Sequence, residues 1–259
     1  MDDATFLGEW QEWHDGREAR LVAPHGFLAI TGLHWLDPSP QRIDGIPGAW
    51  STGPEGVVVE LGGDERLTLD GRELGGRAVI GPVDDRGVQV EAGDVRIEVA
   101  TRAGAVLVRP RDPSHWLRSQ HVGTPTYPVS RSWAVPARFH RYAQNQPTGI
   151  EIQNLASGVV EDAVGEVEFE IDGRSQRLVA LDDDGGLWLL FADATSGRTT
   201  YGAGRQLYAP APRADGSLVI DFNRATNLPC AYTDFTTCPV PMARNRLLVA
   251  IEAGERNPE

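Results

Sequence analysis

The sequence predicts a mainly β protein: an N-terminal helix followed by two antiparallel β units, each sandwich or barrel-like. Most periodic segments alternate apolar and polar residues with a period of two, which is the pattern of half-buried strands. The 29 glycines supply the turns that short antiparallel strands need. A proline-rich stretch without a clear period separates two runs of such segments, and it predicts an irregular connection between the units.

The N-terminal helix is predicted within residues 1–25. Its apolar residues recur at roughly helical spacing: Phe6, Leu7, Trp10, Trp13 and Leu21. The helix begins at Asp2 or Asp3, and it ends near Gly16 or reaches Arg20, because a glycine inside a helix weakens it. We expect the tryptophan face to pack against the rest of the protein.

Residues 26–118 form the first predicted β unit. Ala92-Gly93-Asp94 and Arg102-Ala103-Gly104 are typical of hairpin turns between its strands. Residues 119–148 are the predicted connection between the units, since the segment Arg111–Tyr142 carries four prolines and no alternation.

Residues 149–259 form the second predicted β unit. Its clearest hairpin turns at Asp172-Gly173, a dipeptide that favours the tight turn of antiparallel strands. We expect Val167, Phe169 and Ile171 to share one face of the first strand, and Leu178 and Ala180 to return on the second. A last strand is predicted over residues 247–254.

The composition excludes several functions. A formal net charge of −13 disfavours nucleic acid and anionic membrane surfaces as partners. All 24 basic residues are arginines, so Schiff-base chemistry, pyridoxal phosphate and a P-loop lysine are excluded. No cofactor is expected, and the oligomeric state is left open.

The location of the protein is also predicted from absences. No apolar run reaches the ~20 residues that cross a bilayer, and the N-terminus does not resemble a secretory signal. We therefore expect a cytoplasmic protein with reduced cysteines.

Three C-terminal segments carry a recurring pattern: "FADATSGRTTYGAGRQL", "DFNRATNLPCAYTDFTTCPVP" and "NRLLVAIEAGE". Together they resemble the signature of the domain of unknown function 1684 family of bacterial and archaeal proteins. "GFLAITGLHWL" and "RPRD" resemble its N-terminal half. The chain departs from the family at Thr226–Pro229, where the family has Tyr-Asn-Pro-Pro, and at Val240–Met242. Because the family has no established activity, the resemblance implies a shared residue pattern and no mechanism.

Cys230 and Cys238 lie eight positions apart in this signature, and four interpretations stay open. They are apolar fillers, a disulfide, a nucleophile activated by an arginine, or two ligands of a structural zinc site. Zinc is the weakest interpretation because all six histidines lie far upstream, and no metal site is predicted.

The remaining candidates are polar residues of the same segments. Asp193, Asp221, Asn223 and Cys230 are the catalytic candidates, since carboxylates, amides and thiols at strand ends are common in catalytic sites. The candidates for ligand binding are Thr195, Ser196, Tyr201, Arg205, Arg224, Asn227 and Asn245. Two further carboxylates, Glu252 and Glu255, are close enough in sequence to share a proton or a hard cation.

Each of these groups also has a structural interpretation. An aspartate before Ser-Gly accepts hydrogen bonds from the turn that follows it, and asparagines hold irregular loops together. Three functions therefore stay open. The signature loops form the polar pocket of a small-molecule enzyme, they bind an anionic ligand without chemistry through Arg205, Arg224 and backbone amides, or they serve folding only.

Overall fold

The computed structural model describes residues 2–150 and 162–258, and it confirms a mainly β protein with one long N-terminal helix. The chain divides into two compact units. Unit 1 comprises Met1–Glu18, Val122–Tyr232 and Thr237–Glu259, and unit 2 comprises Ala19–His121 and Thr233–Thr236. Most of the helix thus belongs to the same unit as the C-terminal segment.

Helix α1 spans Asp3–Leu21 and continues through Gly16, so the longer of the two predicted helices forms. Helix α2 is a short segment, Trp116–Gln120. The 3-10 helices are Phe27–Ala29, Arg131–Trp133, Phe222–Arg224, Pro229–Ala231 and Ala243–Asn245. No helix in the described part of the chain is long and apolar enough to span a membrane.

Unit 2 is built from short antiparallel strands. They are β1 (His34–Leu36), β2 (Gln41–Arg42), β3 (Ala49–Gly53), β4 (Gly56–Glu60), β5 (Leu67–Leu69), β6 (Arg72–Leu74), β7 (Arg77–Ile80), β8 (Val88–Ala92), β9 (Val95–Arg102) and β10 (Ala105–Arg111). One sheet has the strand order β1-β10-β9-β8-β5-β6, and the other has the order β2-β3-β4-β7.

The two sheets of unit 2 share one apolar core. Trp50 contributes to it from the four-stranded sheet, and Ile97, Val99 and Val108 contribute from the six-stranded sheet. Because side chains alternate along a strand, Glu98 lies on the opposite face of the six-stranded sheet from Ile97 and Val99. Both predicted hairpin turns of this unit form, between β8 and β9 and between β9 and β10.

Unit 1 contains one antiparallel sheet. Its strands are β11 (Ala134–Pro147), β12 (Asp162–Ile171), β13 (Arg174–Asp183), β14 (Gly186–Phe191), β15 (Arg205–Ala209), β16 (Ser217–Asp221) and β17 (Thr226–Asn227). They are arranged in the order β16-β11-β12-β13-β14-β15-β17.

The predicted hairpin of unit 1 is confirmed as β12 and β13. Its turn residues Asp172 and Gly173 both have positive φ, 50° and 71°, as a type I′ turn requires. The predicted inward residues of both strands lie in the main core: Val167, Phe169, Ile171, Leu178 and Ala180. Local turn chemistry and alternation were therefore sufficient to place this hairpin.

Strand β11 lies inside residues 119–148, the segment predicted as a connection. It pairs with β12 on one side and with β16 on the other. Only Val135 and Phe139 among its residues are buried. The strand therefore has too little apolar alternation to be read from the sequence.

Both faces of the unit 1 sheet are covered. Leu189 and Phe191 of β14 face the main core, and Leu190 between them faces a smaller apolar cluster that includes Leu228 and Cys238. The segment that follows β17 thus packs on the second face. The strand predicted over residues 247–254 is wrong, because no strand forms there.

Candidate functional site

The centre of the signature is a buried ion pair between Asp193 and Arg205. Asp193 follows β14 by two residues, and Arg205 begins β15 opposite Phe191. The Arg205 Nη2 and Asp193 Oδ2 atoms are 2.9 Å apart, and both side chains are 0% exposed. The guanidinium also lies over the Phe191 ring, 5.3 Å from its centroid.

The second oxygen of Asp193 organises the turn after β14. Oδ1 accepts hydrogen bonds from the Thr195 amide at 2.8 Å and from the Thr195 hydroxyl at 2.6 Å. The Ser196 hydroxyl accepts a hydrogen bond from the Asp193 amide at 3.1 Å. These contacts are those of an aspartate that closes a turn.

Arg205 also binds the backbone of the C-terminal segment. Its Nη2 donates to the Ile251 carbonyl at 2.9 Å, and its Nη1 donates to the carbonyls of Ala253 and of Glu255, the latter at 3.2 Å. Nε has no partner among the described residues. Burial lowers the pKa of Arg205 from its usual value, and the Asp193 carboxylate acts in the opposite direction.

These contacts explain why the predicted last strand does not form. The alternating residues Ile251, Ala253 and Glu255 present their carbonyls to one guanidinium instead of to a neighbouring strand. The Ile251 amide in turn donates to Asp193 Oδ1 at 3.3 Å. The Asp193–Arg205 pair thus supplies part of the hydrogen bonding of this segment, and backbone groups supply other bonds, such as that from the Leu247 amide to the Ala192 carbonyl.

Glu255 is the centre of a second buried cluster. Its Oε1 accepts from Arg17 Nε at 3.2 Å, while Oε2 accepts from the Asn227 amide at 2.6 Å and from the Tyr232 hydroxyl at 3.2 Å. The Tyr232 hydroxyl also bonds to the Thr124 hydroxyl at 2.9 Å. The C-terminal segment, α1 and the loop after β17 therefore meet at one carboxylate.

The charges of this cluster shift two pKa values. Burial alone would lower the pKa of Arg17, but the Glu255 carboxylate raises it above its ordinary value. Burial, together with the same carboxylate, raises the pKa of Tyr232. Arg17 is thus a charged guanidinium and Tyr232 a neutral phenol at neutral pH.

Asn227 connects the two clusters. It pairs with Arg205 in the β15–β17 ladder, and its backbone N–H donates to the Glu255 carboxylate. The side-chain Nδ2 donates to the Arg256 carbonyl at 2.7 Å. Its Oδ1 is buried and has no hydrogen-bond partner among the described residues, although Asn227 is 0% exposed.

The side-chain amides of two other asparagines in the signature both accept from backbone N–H groups and donate to backbone carbonyls, as the backbone of a neighbouring strand would. Asn245 accepts from the Val179 amide at 2.8 Å and donates to the carbonyls of Val179 and Leu190. Asn223 accepts from the Ser130 amide at 3.0 Å and donates to the Ser130 carbonyl at 2.9 Å. Both side chains satisfy backbone groups that the sheet does not pair.

Asp221 and Arg224 lie with Asn223, apart from the Asp193 cluster. Asp221 Oδ1 accepts from the Asn223 amide at 3.1 Å and caps the 3-10 helix that follows. The Arg224 guanidinium lies over the Trp13 ring, 5.5 Å from its centroid, and 3.5 Å from Asp221. Trp10 of α1 donates from Nε1 to the Asn223 carbonyl at 2.9 Å. The tryptophan face of the helix is thus a packing face.

The two cysteines form part of the smaller apolar cluster of unit 1. Cys238 is buried and Cys230 is partly buried, and neither forms a disulfide bond. The Cys230 amide donates to Cys238 Sγ at 3.2 Å, and the Tyr201 hydroxyl donates to the Cys230 carbonyl at 2.9 Å. Hydrogen bonding with Cys238 and burial raise the pKa of Cys230, so its thiolate is disfavoured.

The predicted site residues therefore do not share one cavity. Asp193, Thr195, Arg205 and Asn227 join one buried network, while Asn245 and the Asp221 group lie elsewhere in unit 1. No group of three or more histidine, cysteine or acidic side chains is placed to hold a metal ion within the described ranges.

Sequence reasoning missed Arg17, Thr124 and Tyr232 as members of this network. Arg17 follows Trp10 and Trp13 at helical spacing, so its place on the apolar face of α1 was the available signal. A charged residue on such a face needs a buried partner, and Glu255 supplies it.

One comparison with known proteins, the match to a family model, covers the signature. No curated protein matches the chain. The solution structure of an uncharacterized protein from Haloarcula marismortui is similar, with 28% identity over 54% of this chain and 78% of that chain, and a TM-score of 0.45. The family model described as "Protein of unknown function (DUF1684)" matches residues 119–256. The resemblance of Gly26–Leu36 and Arg109–Asp112 to the family lies outside this match and stays a prediction. The chain belongs to the domain of unknown function 1684 family.

Proposed function

We propose that the signature network of unit 1 has a structural function: it fastens α1 and the C-terminal segment to the sheet. The observation that supports this most directly is Arg205, which is 0% exposed. Its two terminal nitrogens reach one carboxylate and three carbonyls, so both are already engaged within the protein.

The charge balance of the network supports the same proposal. Asp193 neutralises Arg205, and Glu255 neutralises Arg17. An anion entering this network would have to displace a carboxylate that is already hydrogen-bonded, which would leave a buried charge without its partner. The network therefore offers an anionic ligand little net attraction.

The structural function is tested by comparing the unchanged protein with Arg205→Lys in hydrogen exchange measured by mass spectrometry. A lysine ammonium has three donors on one atom and cannot reproduce the planar fork that reaches four acceptors. We expect peptides covering residues 247–256 to lose protection by about tenfold or more, since their free energy of local opening falls by over ~1.4 kcal/mol. Arg198→Lys, at an exposed position of the same turn, is the matched control. A folded Arg205→Lys protein with unchanged protection of this segment would contradict the proposal.

A second candidate function, ligand binding, is favoured by Asn227 Oδ1. This atom is an acceptor without a partner among the described residues. The backbone N–H of the same residue donates to the Glu255 carboxylate. A group that satisfies it must donate an N–H or O–H, so the ligand class is a small hydrogen-bond donor and not an anion.

Thermal unfolding with a panel of small amines, amides and alcohols tests this second candidate. A compound that binds the native state raises the unfolding temperature by mass action, and Asn227→Ala, which removes the acceptor, should abolish that effect. If a high-resolution crystal structure shows only an ordered water on Asn227 Oδ1, and no compound shifts the unfolding temperature, ligand binding here is refuted.

A further inference from the structure

Unit 2 contains a cluster of arginines around one buried carboxylate, on the sheet face opposite its core. Glu98 on β9 accepts hydrogen bonds from Arg109 through Nε at 3.1 Å and Nη2 at 2.8 Å. Arg111 donates to the same carboxylate at 2.8 Å and Arg102 at 3.4 Å. The Glu98 side chain is 8% exposed, and that of Arg109 is 7% exposed.

The cluster has more positive than negative charge. Three guanidinium groups surround one carboxylate, and burial would raise the pKa of Glu98, but Arg109 and Arg111 lower it to about 2. Glu98 is therefore ionised at neutral pH and offsets one of the three positive charges. Burying unbalanced charge is costly, so a site of this kind attracts a further anion.

Arg111 and Arg102 are fixed partly by backbone groups. Arg111 Nη1 donates to the His25 carbonyl at 3.1 Å, and its guanidinium lies 5.6 Å from the centroid of the Phe27 ring. Arg102 Nη1 donates to the carbonyls of Thr101 and Asp85. Carbonyl dipoles orient these two side chains but do not neutralise them.

Arg109 is the least satisfied member. Its hydrogen bonds within the described residues all go to Glu98, through Nε and Nη2, and Nη1 has none there. A guanidinium has five donors in a planar fork that suits two oxygens of one oxyanion. The most buried arginine of the set thus keeps donors that the protein does not use.

Space for a ligand exists next to this cluster. A groove of about 440 Å³ is lined by His25, whose carbonyl binds Arg111, and by Arg96, the cross-strand neighbour of Arg111. Glu91 and Asp94 also line it, so the groove itself carries negative charge, and Arg102, Arg109 and Arg111 lie beside it and not in its lining. A ligand here would place its anionic group toward the arginines and an uncharged or cationic part in the groove.

We propose that Arg102, Arg109 and Arg111 form a binding site for a small oxyanion, a phosphate or carboxylate group, on the outer face of the six-stranded sheet of unit 2. Arg109 supplies the unused donors, and Glu98 holds the three guanidinium groups in place while the site is empty. The proposal concerns unit 2 alone and does not depend on the function of the unit 1 network.

Ligand-detected ³¹P NMR with inorganic phosphate tests the site. We expect the full chain to broaden the phosphate line in a saturable way, with ionic strength held constant by sodium chloride across the titration. Arg109→Gln should lower the affinity for phosphate at least tenfold. Arg72→Gln, at an exposed position of the same sheet, is the matched control and should bind phosphate as the unchanged protein does. The proposal would be overturned if the protein broadened the phosphate line no more than serum albumin does at the same concentration. It would also be overturned if Arg72→Gln lost as much affinity for phosphate as Arg109→Gln.

Glu98→Gln keeps the test decisive if Arg109→Gln does not fold. Removing the competing negative charge should tighten phosphate binding on the order of tenfold, because the attraction of the three arginines is no longer offset. A residue that only held the fold together would not increase affinity when replaced. Competition by acetate and by glycerol phosphate separates the sources: displacement by both indicates a general oxyanion site, and displacement by the ester alone indicates a phosphate site. Weaker phosphate binding by a folded Glu98→Gln protein would refute the site.

Discussion

Asp193 and Arg205 form an ion pair in which neither side chain is exposed, and the arginine also binds backbone carbonyls 46 to 50 residues further along the chain. This pair satisfies the backbone of the C-terminal segment where a sheet would otherwise need another strand. A buried ion pair by itself contributes little net stability, but removal of one partner is costly.

Replacement of Arg205 by methionine should lower the free energy of unfolding by about 3–5 kcal/mol, because it leaves the Asp193 carboxylate buried without a partner. The double variant Asp193→Leu/Arg205→Met removes that charge, yet it should stay less stable than the unchanged protein, since the three carbonyls keep no donor. Urea unfolding measures both. Arg198→Met is the control and should change stability by less than about 0.5 kcal/mol. A loss below about 1 kcal/mol in Arg205→Met would contradict the structural function proposed for this ion pair.

Helix α1 should depend on Arg17 in a way that it does not depend on Arg20. Arg17 binds the Glu255 carboxylate and the Asn227 carbonyl, whereas Arg20 is exposed. Arg17→Gln should cost about 1–3 kcal/mol by urea unfolding and should increase hydrogen exchange both in α1 and around residue 255. Arg20→Gln should leave both quantities unchanged. Equal effects of the two substitutions would mean that the Glu255 contact does not stabilise the helix.

Unit 2 should lose stability in acid through Glu98. Its pKa is lowered from 4.5 to about 2 in the folded protein, so this contribution is fully present above about pH 4.5 and is lost as the pH falls toward 2. The contribution is on the order of 3 kcal/mol. Hydrogen exchange of peptides from residues 95–111, followed between pH 2 and 6, should show this loss in the unchanged protein and not in Glu98→Gln. Glu55→Gln, at an exposed position of unit 2, should retain the full acid sensitivity.

Gly254 should be far less tolerant of alanine than Gly173. Both have positive φ, 74° and 71°, so alanine is strained at either position. A Cβ on Gly254 would lie 2.5 Å from the Ala225 carbonyl oxygen, whereas nothing lies within 4 Å of one on Gly173. Gly173→Ala should therefore cost about 1 kcal/mol, and Gly254→Ala several times more, in thermal or urea unfolding. Similar losses at the two positions would show that the segment next to Glu255 is not tightly held.

Local patterns predicted the elements that local physics determines. The Asp172-Gly173 turn and the alternating residues around it specify their hairpin without any distant contact. The alternation of residues 247–254 looked the same from the sequence, but there the hydrogen-bonding partners include the side chains of Asp193 and Arg205 and scattered backbone groups, and no neighbouring strand forms. A contact between residues about fifty positions apart leaves no periodic trace in either segment.

The candidate site was predicted in part for the same reason. Asp193, Arg205 and Asn227 were identified by the density of polar residues in the signature, and the structure brings them into one network. Their partners Arg17 and Glu255 are 238 positions apart, so no spacing rule relates them. The sequence also placed Arg109 at the end of a plain strand run and Arg111 at the start of the segment without alternation, since a strand pattern records which face a side chain takes and not which charge it meets there.

The contact between Arg17 and Glu255 also constrains the order in which the chain folds during synthesis. Unit 2 is almost entirely encoded between α1 and the rest of unit 1, so it can be complete on the ribosome while the helix still waits for its partners. The carboxylate that receives Arg17 is synthesised 238 residues after it. Until Asn223 and Glu255 are synthesised, Trp10 and Arg17 lack these native partners, and exposed apolar surface of this kind is what makes incomplete chains prone to aggregation.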